Sequence, residues 1–226
     1  MYYGKEYFEV GPYSKQQPII IKRNYENLLK HGLKIFPEIV KRRVKVLDFG
    51  CATGVGTYWL YKRLNGVVVG IDISKYAINK AKKLFSRHNI YFHNLDLSEN
   101  DSVKFLLKRY GSFDIIFSRD TLEHIPKGKQ ETLIRNFHLL LNNGGIIMAA
   151  IANQLNPYSY ICDKTHLGLR SPWFWRKIFQ RYFKIAKCFE EQWIPFLWRL
   201  RGDRKLIEIK LPLFGFIIYV FSKKGY

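Results

Sequence analysis

Acidic residues are scarce in this chain: 18 Asp and Glu stand against 38 Lys and Arg, a formal charge of +20. Such an excess attracts nucleic acid, anionic lipid or acidic substrates without choosing among them, and a lysine-biased solvated surface explains it equally well. Cysteine is sparse too. Cys51, Cys162 and Cys188 form no C-x-x-C pair and no disulfide framework, so all three are expected to be reduced, with Cys51 only a small residue in a turn. The longest apolar run, Leu211 to Phe221, is too short to span a bilayer, and Met1 to Glu6 lack the apolar core of a signal peptide. A cytoplasmic location is expected. No compact set of three or four metal ligands is visible, so no metal is expected either. Without a Pro/Gly/Ser-rich linker or an internal repeat, the 226 residues read as a single domain.

What is present indicates a globular protein: 47% hydrophobic and 16% aromatic residues. Its most informative stretch is Val46-Leu47-Asp48-Phe49-Gly50-Cys51-Ala52-Thr53-Gly54-Val55-Gly56, an apolar run that breaks into small residues and then into a helical pattern through Val55, Trp59, Leu60 and Leu64. That is strand, tight turn and helix. Glycines suit such a turn because a Cβ would hold a ligand off the backbone and because the turn calls for positive φ. The dinucleotide pattern G-x-G-x-x-G is not met, since Ala52 and Val55 stand at its second and third glycines. Asp48, two positions before Gly50, suits a ligand with an ammonium group better than a pyrophosphate. Both features point to S-adenosylmethionine, which has an amino acid end, a sulfonium and an adenosine but no phosphate.

The stretch resembles the first motif of class I S-adenosylmethionine-dependent methyltransferases, acidic-x-Gly-x-Gly-x-Gly, with Ala52 in place of the middle glycine. An added methyl is the smallest departure and is expected to be tolerated. The text downstream fits the same family. Gly66 to Ser74 is a short buried strand ending in Asp72, which lies 18 residues beyond Gly54 (72 − 54), close to the spacing of about 20 at which a carboxylate meets ribose hydroxyls. Ser74 fits as N-cap of the next helix, with Ala77, Ile78, Ala81, Leu84 and Phe85 on its apolar face. A third strand, Ile90 to Leu95, leads to Asp96-Leu97-Ser98; Ser98-x-x-Asp101 reads as a capping box, leaving Asp96 free. By the resemblance, Asp72 and its neighbour Ile73 would serve the ribose, and Asp96 and the Leu97 backbone the adenine.

Phe113-Asp114-Ile115-Ile116-Phe117 and then Leu122-Glu123-His124 resemble the signature of the ubiquinone- and menaquinone-biosynthesis-like members of that family. There Ser118 and Arg119 would sit beside the methionine end of the cofactor and His124 near the acceptor. A helix through Leu133, Ile134, Phe137, Leu140 and Leu141 is expected to end at Asn142-Asn143-Gly144-Gly145, before a fifth strand from Ile146 to Ile151. The β-α alternation from 44 to 152 implies an α/β Rossmann-like doubly wound sheet, mostly parallel, with ligands at the C-terminal strand ends. The resemblance extends this to seven strands, the last two (Phe183 to Phe189 and Phe214 to Phe221) antiparallel. Residues 1–43 are expected to form a helical cap, 44–152 the cofactor-binding core, and 153–226 an acceptor side with an aromatic and basic insertion over 191–212. That insertion, containing Gln192 to Arg201, reads as a lid, a dimer contact or a peripheral membrane contact. Ser171-Pro172 starts a helix as N-cap and N1 should.

The implied chemistry is displacement at the sulfonium methyl by an oxygen or nitrogen of a small, lipid or sugar acceptor, yielding S-adenosylhomocysteine. A hydroxyl acceptor would need a base: His124 first, the Asp163/His166 pair second. The basic surface leaves an RNA acceptor open as the alternative, as does a non-catalytic cofactor-binding subunit; the oligomeric state is not legible.

Overall fold

Alternation of buried apolar runs with amphipathic segments builds the architecture. The computed structural model describes residues 3–191, 206–208 and 217–225. Two helices precede the sheet, α1 (Lys5–Glu9) and α2 (Pro18–Ile35). Then come β1 (Val44–Phe49), α3 (Val55–Arg63), β2 (Gly66–Asp72), α4 (Lys75–Phe85), β3 (Ile90–Asn94), α5 (Asn100–Tyr110), β4 (Phe113–Arg119), α6 (Gln130–Leu140) and β5 (Leu141–Ala152). The chain continues through α7 (Tyr158–Ile161), α8 (Pro172–Tyr182), β6 (Ile185–Glu191), β7 (Leu206–Glu208) and β8 (Ile217–Lys223). Among the described residues no helix is long and apolar enough to cross a membrane.

The strand order is β3-β2-β1-β4-β5-β8-β6-β7. β1 to β5 are mutually parallel, whereas β8 runs antiparallel between β5 and β6. This is the expected seven-stranded, mostly parallel frame, extended by β7, a three-residue strand on the edge of β6. One apolar layer packs α5, α6 and α8 on one face around Phe113, Phe137, Trp175 and Phe179. The other holds α2 and α3 against the opposite face around Leu28, Leu60, Phe117 and Phe221. A sheet buried on both sides explains why its strands read as continuous hydrophobic runs.

Local signals behave as their chemistry dictates in two places and differ in two. The Ser74 hydroxyl accepts from the Ala77 amide at 3.1 Å, and the Ser171 hydroxyl from the Phe174 amide at 3.4 Å, with Pro172 opening α8. The capping box at Ser98 does not form: Glu99 is the N-cap of α5, and the Ser98 hydroxyl donates instead to Asp96 Oδ1 at 2.6 Å. The turn at Asn142 to Gly145 is not a separate loop but the first part of β5, because Leu141 already pairs with Phe113 across a register irregularity. The Asn142 amide donates to Asp114 Oδ1 at 3.0 Å, which ties this part of β5 to β4. The interpretations offered for the insertion, in turn, fall largely outside the described residues, β7 excepted.

Candidate active site

The turn after β1 sets the floor of the site. Gly50 has φ +76° and an added Cβ would lie 2.2 Å from Thr121 Oγ1, so no other residue fits there. Gly54 has φ +84° and faces inward, where a Cβ would press on Ala81 and Phe92. Ala52 adopts φ +48°, the left-handed region that glycine occupies without strain. Its amide donates to Asp72 Oδ2 at 2.9 Å and the Ser74 amide to Asp72 Oδ1 at 2.8 Å, so one carboxylate clamps the turn to the end of β2. Burial raises the Asp72 pKa, against the pull of these two amides. A carboxylate has room for about four hydrogen bonds, so acceptor capacity remains.

Above this floor lies a cavity of about 770 Å³. It is lined by Gly50, Ala52, Asp72, Ile73, Asp96 and Leu97, all expected at the cofactor. Tyr3, Tyr7, Phe8, Tyr13 and Tyr25 of the N-terminal segment line it as well and reach the same floor, where the Ser74 hydroxyl donates to the Tyr3 carbonyl at 2.6 Å and the Tyr13 hydroxyl lies 3.2 Å from Thr53 Oγ1. Arg119, His124, Asp163 and His166 complete the group of anticipated residues that reach it. Asp96 is not free as expected: its Oδ1 accepts from the Ser98 amide and hydroxyl, and Lys129 Nζ stands 3.7 Å from Oδ2.

Asp48, Gly54 and Ser118 do not line the cavity. Asp48 is fully buried behind the turn, where Oδ2 accepts from the Thr57 hydroxyl at 2.6 Å and Oδ1 from the Tyr25 hydroxyl at 3.2 Å. Burial pushes its pKa up to about 7, with those two hydroxyls opposing and the Asp72 charge adding. Ser118 is fully buried within the sheet, between Phe49 of β1 and Ala149 of β5.

The acceptor side is held by a relay that sequence reading did not anticipate. Tyr7 donates to Asp163 Oδ2 at 2.9 Å, and the Thr165 hydroxyl to Asp163 Oδ1 at 2.6 Å. His124 Nδ1 lies 3.0 Å from that hydroxyl oxygen and 3.2 Å from the Thr165 carbonyl. His166 Nδ1 lies 2.5 Å from the Ser159 carbonyl, and the two imidazoles meet edge to face with centroids 4.7 Å apart. Burial works to raise the Asp163 carboxyl, but the hydrogen bonds from Thr165 outweigh it and leave the pKa below the usual carboxylate value. Burial and the neighbouring His166 lower the His124 pKa to about 4. The loop carrying Asp163 and His166 docks here because the Gly168 amide donates to the Glu123 carbonyl at 2.7 Å, at an approach so close that a Cβ on Gly168 would lie 1.9 Å from the Ile125 carbonyl oxygen.

Glu123, which the sequence marks only as the middle of Leu122-Glu123-His124, is a further residue of the site. It is 1% exposed, its Oε1 accepts from the Ala152 amide at 3.2 Å, and its Oε2 is buried without a hydrogen-bond partner. Burial and the Asp120 charge hold its carboxyl well above the usual carboxylate range. The expectation of no compact metal-ligand set is therefore corrected: Glu123, His124 and His166 offer ligand atoms all within 4.8 Å of one another. Spacing hid this, because His166 is remote in sequence and arrives only when its loop packs on Glu123.

Comparison with known proteins agrees with this architecture. The family model described as "Methyltransferase domain" matches residues 46–145, the stretch from β1 to the start of β5. Residues 46–145 thus match a methyltransferase domain, set in the fold of the class I S-adenosylmethionine-dependent methyltransferases. It is 34% identical over 128 residues to phosphoethanolamine N-methyltransferase 1 of Arabidopsis thaliana, covering 52% of this chain and 24% of that methyltransferase. It is 30% identical over 152 residues to malonyl-[acyl-carrier protein] O-methyltransferase 1 of Ilyobacter polytropus, covering 65% of this chain and 50% of the relative. The chain thus spans about a fifth to a half of the length of the curated relatives it matches. The solved plantazolicin methyltransferase in complex with SAH superposes on this chain with a TM-score of 0.68 at 18% identity, covering 98% of this chain and 90% of that one.

Proposed function

We propose that this methyltransferase moves a methyl group from S-adenosylmethionine to an oxygen or nitrogen of a small acceptor held beneath the N-terminal tyrosines. The observation that carries the reading is that one cavity is lined by two chemically different groups of residues. One has the carboxylates of Asp72 and Asp96 with the apolar Ile73 and Leu97 beside them, an acceptor set that fits ribose hydroxyls and an adenine amino group. The other has aromatic rings and the Glu123, His124, His166 group. A volume of about 770 Å³ is in the upper part of the roughly 300–1,000 Å³ usual for ligand pockets, in keeping with two occupants.

The cofactor supplies an activated methyl carbon, so the protein's work is to orient the reactants and exclude water, where orientation alone can contribute roughly 7–11 kcal/mol. Gly50 and Ala52 bring backbone close to the bound amino acid end. Asp48, one layer behind with Tyr25, supplies negative charge through the turn without contact. Arg119 and Ser118 end β4 beside them. His124 and His166 present ring nitrogens to an acceptor hydroxyl, whose proton they or solvent would take. In the resemblance the bound acceptor is a small, lipid or sugar molecule, and the two relatives above, which by name methylate phosphoethanolamine and malonyl-[acyl-carrier protein], support a non-polynucleotide acceptor.

The test is transfer of labelled methyl from S-adenosylmethionine into a cell extract, resolved into lipid, polar small-molecule, nucleic acid and protein fractions. Label in the lipid or small-molecule fraction is expected. Label confined to RNA would overturn the acceptor assignment, and no transfer with intact cofactor binding would indicate a cofactor-binding subunit instead.

A further inference from the structure

We propose that Glu123, His124 and His166 form a binding site for one divalent transition-metal ion, facing the acceptor half of the cavity. Their ligand atoms already lie within 4.8 Å of one another, whereas ligands around an ion with bonds of about 2.0–2.2 Å are separated by roughly 3–4 Å, so side-chain shifts of under about 1 Å would close the site. Three further observations support it independently.

First, the protons on both imidazoles are placed by their partners. Main-chain carbonyls only accept, so His124 Nδ1, against the Thr165 carbonyl, and His166 Nδ1, against the Ser159 carbonyl, must be the N–H donors. The Thr165 hydroxyl agrees, since it gives its own proton to Asp163 and can only accept from His124. An Nδ1–H tautomer carries its lone pair on Nε2, and a carbonyl on the far nitrogen is the support that metal-ligating histidines usually have. Second, Glu123 Oε2 is a buried carboxylate oxygen with no hydrogen-bond partner, a costly arrangement that an ion would relieve. Third, Asp120, in the same cavity wall and one turn before Glu123, is a non-glycine residue at φ +51°. Strain of that kind persists where the surroundings impose it, commonly at sites.

Two imidazoles and one carboxylate suit Zn²⁺, Co²⁺ or Mn²⁺ better than Ca²⁺ or Mg²⁺, and three protein ligands leave positions open. All three residues line the cavity, so an open position would take an acceptor oxygen or nitrogen, and with both Nε2 atoms on the ion the acceptor proton would pass to solvent rather than to either histidine. This last step rests on the methyltransferase reading above, whereas the metal site itself does not.

The experiment is titration of the chelator-stripped full chain with Co²⁺, followed by its visible absorption, and with Zn²⁺ by calorimetry, each with cofactor binding measured separately. One ion per chain is expected, with affinity at least 10-fold weaker in both His166→Ala and Glu123→Gln while cofactor affinity and the circular dichroism spectrum stay unchanged. Absence of saturable binding, or binding that both variants leave intact, would overturn the site. Should one variant fail to fold, the other and His124→Gln read the same loss. A site that binds metal in a protein that transfers no methyl would retain this inference and sink the functional reading; methyl transfer unaffected by chelator, with no metal bound, would do the reverse.

Discussion

Asp48 shows what a carboxylate buried behind a cavity-facing turn costs the fold. A carboxylate without a cationic partner, buried behind the turn, is held at a pKa of about 7 chiefly by burial, with Asp72 adding and the hydroxyls of Thr57 and Tyr25 opposing; Cys51 and Tyr25 are the other titratable groups against it. The folded pKa is raised above the unfolded value near 3.9, so the folded state holds this proton more tightly, and the associated stability is present at low pH and lost as pH rises from about 4 through 7. Asp48→Asn keeps the shape and can still accept from Thr57. It is expected to be more stable than the parent at pH 8, by on the order of 2–4 kcal/mol, with the gap shrinking towards pH 5. Thermal or denaturant unfolding at the two pH values measures this, and an equal effect at both would show that Asp48 is ionised in the fold throughout. The same substitution should weaken cofactor binding if the buried charge acts through the turn.

At the scale of elements, α2 is docked on the sheet by Ile21, Leu28 and Leu29 together with an aromatic anchor, Tyr25. Tyr25 stacks on Phe117 of β4 at 4.9 Å and hydrogen-bonds Asp48, and an added Cβ at Gly56 in α3 would lie 2.1 Å from its ring. Helix propensity alone makes Gly→Ala in a helix favourable by about 1 kcal/mol. Here overpacking opposes it, so Gly56→Ala is expected to destabilise by about 1–3 kcal/mol and to regain neutrality or better in a Tyr25→Ala background. A stabilising Gly56→Ala in the parent chain would show that Tyr25 yields easily and that α2 is not fixed by this contact. The contrast marks what sequence can carry. The Asp48 to Gly56 turn, the strand-end Asp72 and the cap at Ser74 were legible because each is a local pattern whose chemistry is fixed by spacing. Tyr25 against Gly56, Tyr7 against Asp163 and Glu123 against His166 were not, since each joins segments whose approach is decided by sheet order and by which loop a glycine such as Gly168 allows to close. Asp96 shows the reverse error, in which a valid capping pattern was outcompeted by a tighter turn two residues long.

The whole molecule sets its surface against its cavity. A chain with charge +20 would be expected to guide polyanions, yet the cavity wall carries Asp72, Asp96, Asp120, Glu123 and Asp163 against Arg119 and Lys129. Lys129 is itself within 4 Å of Asp96 and Glu99. An acidic pocket in a basic protein favours cationic ligands inside, such as a sulfonium or a divalent ion, and leaves the lysines to the exterior. The two regions should therefore respond differently to salt. Binding of a single-stranded RNA to the exterior is expected to weaken by about 10-fold or more between 50 and 200 mM salt, because each neutralised phosphate releases counterions. Cofactor binding in the cavity should change by less than about 3-fold over the same range, since enclosed charges are screened far less. Both are measured on one protein preparation by fluorescence anisotropy and calorimetry. If RNA binding were salt-insensitive and displaced by a cofactor analogue, the polynucleotide would be entering the cavity, and the separation between a basic surface and an acidic site would fail.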